Sequence, residues 1–287
     1  MEKITVNQSH DREILARCPY CNSEEQIDWG KPIRGFISVQ CYSCGLIYIK
    51  NRFNADGNRK YYENYYSSVH QSDIELNKQR AYMYKLEFDL INSFVKSGRI
   101  LDIGCGGGGF LDYFNSAGYD CYGVEFGKKA ASIAAKKYKV FEGDFLDFSS
   151  GNKFDLIIFR GVIEHIPSPK SYLQRAVSLL RQQGCIYITS TPNAESFCCK
   201  LFREQWNQHE PEAHIMHFSP RHFDDYFSER GLKKIWQQFF YEETPYCNIE
   251  KDIEMVAKAI SLKKQSLPID FRSPAFYSNM MSLIYSK

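Results

Sequence analysis

A chain of 287 residues is long enough for one well-packed α/β domain plus a smaller appendage, because single cores rarely grow much beyond about 250 residues. Its composition, 44% hydrophobic and 24% charged, excludes long disorder, and 36 basic against 34 acidic residues exclude a strong general field for a polyanion. The polar N-terminus and the lack of any run of about 18–20 apolar residues predict a cytoplasmic protein without a secretion signal or membrane span.

The first element in chain order is a pair of cysteine knuckles. Cys18-Pro19-Tyr20-Cys21 and Cys41-Tyr42-Ser43-Cys44 are separated by nineteen residues, which is the spacing of a four-thiolate zinc site. Gly45 relieves the turn after the second pair, and the alternation Phe36 to Gln40 predicts a hairpin strand leading into it. A closed shell of four cysteines has no open position for substrate, so a structural zinc is expected to let residues 1–60 fold as a small ribbon. Nearly balanced charge over residues 1–98 favours a scaffold or lid role over nucleic-acid binding.

Residues 61–98 read as an aromatic linker and a helix. Within Tyr61-Tyr62-Glu63-Asn64-Tyr65-Tyr66, Tyr65 and Tyr66 are candidates for stacking on a planar substrate, the alternative being packing between ribbon and main domain. Leu76, Met83, Leu86, Leu90, Ile91 and Phe94 recur near a helical period and predict a helix over 73–95.

The main domain is expected over 99–242. Arg99 to Ile103 is a short apolar strand running into Gly104-Cys105-Gly106-Gly107-Gly108-Gly109, and a helical segment follows from Phe110. Strand, glycine turn and helix suit a nucleotide-like ligand, whose polar end meets backbone N–H groups at the helix start. Glu125, at the end of the next strand, stands about 20 residues on, where a carboxylate accepts from ribose hydroxyls. Phe154–Phe159, a helix over 171–181 and Cys185–Thr191 continue the alternation, which predicts a parallel sheet with helices on both faces. Ligands of such sheets sit beyond the carboxyl ends of the strands, which puts Arg160, Gly161, Glu164 and His165 at the mouth of the site.

The run Leu101-Asp102-Ile103-Gly104-Cys105-Gly106-Gly107-Gly108 resembles the first motif of the class I methyltransferases that use S-adenosylmethionine (SAM), and the resemblance covers about residues 99–240. It implies a doubly wound, Rossmann-like, mostly parallel α/β sheet with the zinc ribbon ahead of it. It also implies SAM as cofactor, with Asp102, Gly104, Cys105 and Gly106 on its methionine part and Glu125 on the ribose. Asp144 and Phe145, in Glu142-Gly143-Asp144-Phe145, would meet the adenine, and Phe126 and Arg160 complete the expected cofactor site.

Glu164-His165-Ile166-Pro167 resembles the EH motif of the ubiquinone and menaquinone methyltransferase-like branch. His165 is then a candidate general base and Glu164 a substrate contact, the alternative being a structural histidine. Gly161 stands where some metal-dependent relatives carry an acid, which argues against a catalytic metal. Residues 192–218 form so long a connection that a substrate lid is expected. Within it His214-Ile215-Met216-His217-Phe218-Ser219-Pro220 resembles a segment of the same branch, with His214 and His217 as substrate contacts, as metal ligands together with Glu210 or His209, or as structural hydrogen-bonding groups, the last favoured over metal, and with Ser219 as a helix cap and Pro220 in the first turn. Leu232–Tyr241 reads as a sixth strand and 243–287 as a helical extension.

The expected activity is methylation of a hydroxyl on a small-molecule or sugar/glycan acceptor. RNA methylation is possible but not favoured, and a zinc-stabilised binding module with a non-catalytic SAM fold is a third reading. The acceptor, the methylated atom and the oligomeric state stay open.

Overall fold

The structure is a computed structural model that describes residues 11–68 and 74–287, the side chains of 63–68 and 74 excepted. In chain order it runs β1 (Gln26–Asp28), β2 (Ser38–Cys41), β3 (Ile47–Ile49), α1 (Ala55–Ser68), α2 (Ile74–Phe94), β4 (Arg99–Ile103), α3 (Leu111–Ser116) and β5 (Asp120–Glu125). There follow α4 (Lys128–Ala134), β6 (Lys139–Glu142), β7 (Phe154–Arg160), α5 (Pro169–Leu179), β8 (Leu180–Pro192) and α6 (Phe197–Phe202). The chain closes with β9 (Met216–His217), α7 (Pro220–Ser228), β10 (Lys233–Gln238), α8 (Ile249–Lys264) and β11 (Met280–Ser286).

A seven-stranded sheet in the order β10-β11-β8-β7-β4-β5-β6 forms the frame. The strands from β8 to β6 are parallel to their neighbours, and β11 is antiparallel to both β8 and β10. Because side chains alternate across a strand, the central strands feed two separate cores. Leu101, Ile103, Ile157, Phe159, Ile186 and Ile188 point to one face, while Ile100, Leu156, Ile158, Cys185 and Tyr187 point to the other, where Phe88 and Ile91 of α2 meet them. Strands covered on both faces need near-continuous apolar sequence, as in Ile-Leu-Asp-Ile and Leu-Ile-Ile-Phe.

The expected strands, the helix before β4 and the helix after Ser219 are all present within a few residues. Pro169 occupies the first turn of α5 and Pro220 that of α7, where the missing N–H costs nothing. The tail is a correction. Residues 243–287 were expected to be a helical extension, and α8 fits, but Met280–Ser286 forms β11 inside the main sheet. Its apolar run is too short for periodicity to separate strand from helix, and only the open edge of β8 decides the matter.

A second sheet, β1-β2-β3-β9, carries the cysteine knuckles. Its fourth strand belongs to the expected lid, with Ile47 opposite His217 and Tyr48 opposite Met216. Cys18, Tyr20, Val39, Cys41, Leu46 and Tyr48 also share an apolar cluster with one face of the main sheet, so ribbon and main domain pack as one body. No helix among the described residues is long and apolar enough to cross a membrane.

Candidate active site and cysteine centre

The glycine turn follows β4 at the carboxyl edge of the sheet and is fastened to β5. Gly104 N–H and Cys105 N–H both donate to the Val124 carbonyl, at 2.8 and 3.1 Å. Gly104 has φ +73, and a Cβ there would come within 2.6 Å of Val162 Cγ2, so backbone conformation and space both demand glycine. At Gly106, with φ +54, a Cβ would meet nothing within 4 Å; it would project into open space that a ligand can use.

Glu125 is 3% exposed and joins the two turns. Its Oε2 accepts from Gly106 N–H at 2.8 Å and its Oε1 from Gly127 N–H at 2.6 Å. Those two bonds fix the direction of the carboxylate at the wall of the cleft. Asp144 is fixed in the same manner, its Oδ1 accepting from Leu146 N–H and from the Tyr172 hydroxyl, both at 2.7 Å. Phe145 is buried beside it against Tyr172 at 5.5 Å, whereas Phe126 is 61% exposed at the rim.

Asp102 is buried and its Oδ1 has no hydrogen-bond partner among the described residues. Burial pushes its carboxyl up to about 8 against the opposing pull of the Arg160 cation. A buried acceptor without a donor is costly, and here it faces a cleft rather than a packed core.

Arg160 introduces a residue that the sequence reading missed. Its Nε donates to Glu87 Oε2 at 2.5 Å, and its guanidinium lies over the Tyr84 ring at 4.4 Å. Glu87, 1% exposed on α2, also accepts from Thr189 Oγ1 at 3.0 Å and Ser190 Oγ at 2.6 Å. The only sequence signal was a carboxylate on the apolar face of a predicted helix, four residues before Ile91.

The cleft has a volume of about 1740 Å³, and its walls include all nine expected cofactor residues together with His165 and His214. Sites for a single small molecule run to roughly 300–1,000 Å³, so this one has room for a nucleoside cofactor and an acceptor. His165 Nδ1 lies 2.8 Å from the Ala213 carbonyl and 3.1 Å from the Tyr62 hydroxyl. Since a carbonyl only accepts, Nδ1 carries the proton and Nε2 presents a lone pair. Burial, helped by neighbouring His214, lowers the imidazole to about 3, so it is neutral near pH 7. Glu164 lies buried behind it, Oε1 at 3.8 Å from His165 Nε2, and burial pushes its carboxyl up to about 8.

One expected substrate contact stands elsewhere. His217 is fully buried and away from the cleft walls. Its Nε2 meets His209 Nδ1 at 2.9 Å, and His209 Nε2 meets Ser38 Oγ at 3.2 Å. The pair ties lid to ribbon because β9 pairs with β3, a juxtaposition that no local pattern encodes. Tyr65 and Tyr66 lie on α1, but their side chains are outside those described; Tyr61 and Tyr62 of the same cluster do line the cleft.

The four cysteines converge as their spacing predicts. The Sγ atoms of Cys18, Cys21, Cys41 and Cys44 all lie within 4.8 Å of one another, with Cys18 to Cys44 at 3.7 Å and Cys21 to Cys41 at 3.4 Å. Four thiolates at about 2.3 Å from one tetrahedral ion sit roughly 3.8 Å apart, so the centre fits zinc with little movement.

A family model described as a methyltransferase domain matches residues 76–238. Among curated relatives, the uncharacterized protein MJ1123 of Methanocaldococcus jannaschii is 28% identical over 156 residues, 53% of this chain and 73% of that protein. The ubiquinone biosynthesis O-methyltransferase of Bordetella avium is 27% identical over 109 residues, 34% of this chain and 45% of that protein. The chain spans about half the length of the ubiquinone relatives it matches. A SAM dependent methyltransferase from Archaeoglobus fulgidus shares the fold with a TM-score of 0.53 at 19% identity, over 75% of this chain and 100% of that one. With more than half of its length inside that family, the chain belongs to the methyltransferase-domain family, and it has the fold of class I SAM-dependent methyltransferases.

Proposed function

We propose that the protein transfers a methyl group from SAM to a hydroxyl on a small-molecule or sugar/glycan acceptor. The observation that carries this reading is a single cleft with the glycine cradle on one wall and a neutral histidine, Nε2 unprotonated, on another. The resemblance to proteins named as ubiquinone O-methyltransferases supports oxygen as the acceptor atom.

In this reading Asp102, Gly104, Cys105 and Gly106 hold the methionine part of the cofactor, the Asp102 oxygen that lacks a partner receiving its ammonium. Arg160 meets its carboxylate, Glu125 and Phe126 the ribose, and Asp144 and Phe145 the adenine. Bound SAM supplies an electrophilic methyl group for in-line transfer. The protein's work is then to align the hydroxyl and take its proton, for which His165 Nε2 is suited by tautomer and burial. His214 contacts the acceptor from the lid. The four cysteines hold a structural zinc that keeps the ribbon, and through β9 the lid, in place.

Calorimetric titration with SAM and S-adenosylhomocysteine tests the cofactor assignment, and micromolar binding of both is expected. Glu125→Ala should weaken both by tenfold or more, whereas His165→Ala should bind normally and turn over slowly. Metal analysis should return one zinc per chain, lost in the Cys18→Ser/Cys41→Ser double variant. Failure of the wild type to bind either nucleoside would overturn the proposal.

A further inference from the structure

A second pocket, of about 320 Å³, lies where the ribbon meets α6 and the start of α7, and it shares no lining residue with the cleft. Lys200 and Arg203 line it from α6 and the residue after it, and Arg221 from the first turn of α7. The one acid in its wall is Glu195, an exposed residue. Only the tertiary fold gathers these cations over the zinc ribbon, since they come from the expected lid and from the helix that follows it.

Behind the cations the same wall holds a buried donor. His222 is 5% exposed and lines the pocket, its ring packed edge-on against Tyr20 and Phe218 at 5.2 and 5.8 Å. Its Nδ1 accepts from Ser219 N–H at 3.0 Å. An N–H only donates, so in the neutral ring, which burial favours by lowering the imidazole to about 4, the proton sits on Nε2. That Nε2–H has no hydrogen-bond partner among the described residues; the Cys44 backbone lies near it without closing a bond. A buried donor without an acceptor is costly, and an oxyanion in the pocket would remove that cost.

The cations are free to meet it. Neither Lys200 nor Arg203 makes an ion pair among the described residues; the Arg203 guanidinium instead lies over the Trp29 ring at 5.1 Å, which fixes its direction. Arg221 has a loose partner in Asp225, at 3.4 Å. Three cations less the Glu195 carboxylate leave two positive charges in the wall, the charge that a phosphate monoester dianion balances. The first turn of α7, a helix of nine residues, adds the positive end of its dipole.

We infer that this pocket binds the phosphate group of a small phosphomonoester, with His222 Nε2–H as the deep donor and Lys200, Arg203 and Arg221 around the remaining oxygens. Arginine forks match phosphate geometry. The volume is at the lower end of the roughly 300–1,000 Å³ of sites for one small molecule, whereas a nucleic-acid backbone is followed by an extended basic groove. Trp29 and Ile47 of the ribbon share the wall with the lid residues, and Ile47 pairs with His217 of β9. An occupant therefore ties the ribbon to the segment that carries the lid, whatever acceptor the cleft takes.

The test is calorimetric titration of zinc-replete full-length protein with inorganic phosphate and with glycerol 3-phosphate at constant ionic strength, sodium chloride serving as the blank. Expected is one site per chain with sub-millimolar affinity, and a Tm that rises with ligand concentration. Lys200→Gln and Arg203→Gln should each weaken binding severalfold. His222→Asn, which keeps an acceptor for Ser219 N–H and removes the deep donor, should weaken it by tenfold or more. Wild-type zinc content and a cooperative melt serve as proof of folding. No binding of either phosphate at millimolar concentration, or affinity unchanged in both Lys200→Gln and Arg203→Gln, would overturn the inference and leave the cations as counter-charge to the cysteine centre, whose Cys44 shares the wall. Binding of an oligouridylate but of neither small phosphate would overturn it as well, in favour of a nucleic-acid contact.

Discussion

Glu87 and Arg160 make a buried ion pair whose second role is positional. Arg160 is tethered through Nε, and Glu87 is itself held by Thr189 and Ser190 on β8, so the guanidinium face toward the cleft has a fixed direction. Glu87→Gln keeps the shape and removes the charge. If Arg160 meets the cofactor's carboxylate, the variant should lose about 1.5–3 kcal/mol of S-adenosylhomocysteine affinity, roughly 10–100-fold. Binding of 5′-methylthioadenosine, which lacks the amino-acid end, should not change. Equal losses for both ligands, measured by calorimetry, would reduce Glu87 to a packing role. The cradle itself was legible one residue at a time, because Asp102, Gly104, Gly106 and Glu125 sit at fixed distances along the chain. Glu87 was not, since its partner lies 73 positions away.

At the scale of elements, the junction of β3 with β9 couples the ribbon to the lid through His209 and His217. Burial lowers His209 to about 4 and His217 well below its ordinary value. The unfolded chain, with histidines near 6.5, therefore binds more protons than the folded one below that pH. Stability from His209 is fully present above about pH 6.5 and is lost as pH falls toward 4. The loss is on the order of 3 kcal/mol by pH 4. Thermal melts across that window should show a falling Tm, and His209→Gln should flatten the dependence; an unchanged slope would mean that the pair is hydrated or already charged. The sequence marked this segment as a lid but assigned His217 to substrate, because histidine spacing alone does not tell a cleft from an interface.

For the molecule as a whole, the last strand decides whether the sheet closes. Met281, Leu283, Ile284 and Tyr285 are essentially buried, and β11 is the only partner of β10 among the described residues. Four such side chains stabilise by about 1.5–3 kcal/mol each, together comparable to the roughly 5–15 kcal/mol that holds a domain folded. Deleting residues 280–287 should therefore abolish cooperative unfolding and S-adenosylhomocysteine binding together. A truncated chain that still melts cooperatively and binds the nucleoside would show that α8 and β10 close the sheet unaided. β10 explains its own exposure: it is the edge strand, and Lys233 and Lys234 guard it against pairing with other chains.

The sequence by itself determined whatever is encoded by short spacing or by alternation. That includes the four-cysteine centre, the strand, glycine turn and helix of the cradle, the buried Glu125 carboxylate beside that turn and the parallel character of the central sheet. Each depends on residues a few positions apart, or on apolar runs whose burial on both faces leaves one arrangement. Tertiary structure alone decided the rest. The insertion of β11 beside β8, the pairing of the lid with the ribbon, the reach of Glu87 to Arg160 and the meeting of His214 with Glu164 and His165 all join distant segments. Hydrogen bonds and burial between such segments leave no periodic trace in the chain, because their partners are chosen by the packed sheet and not by sequence neighbours.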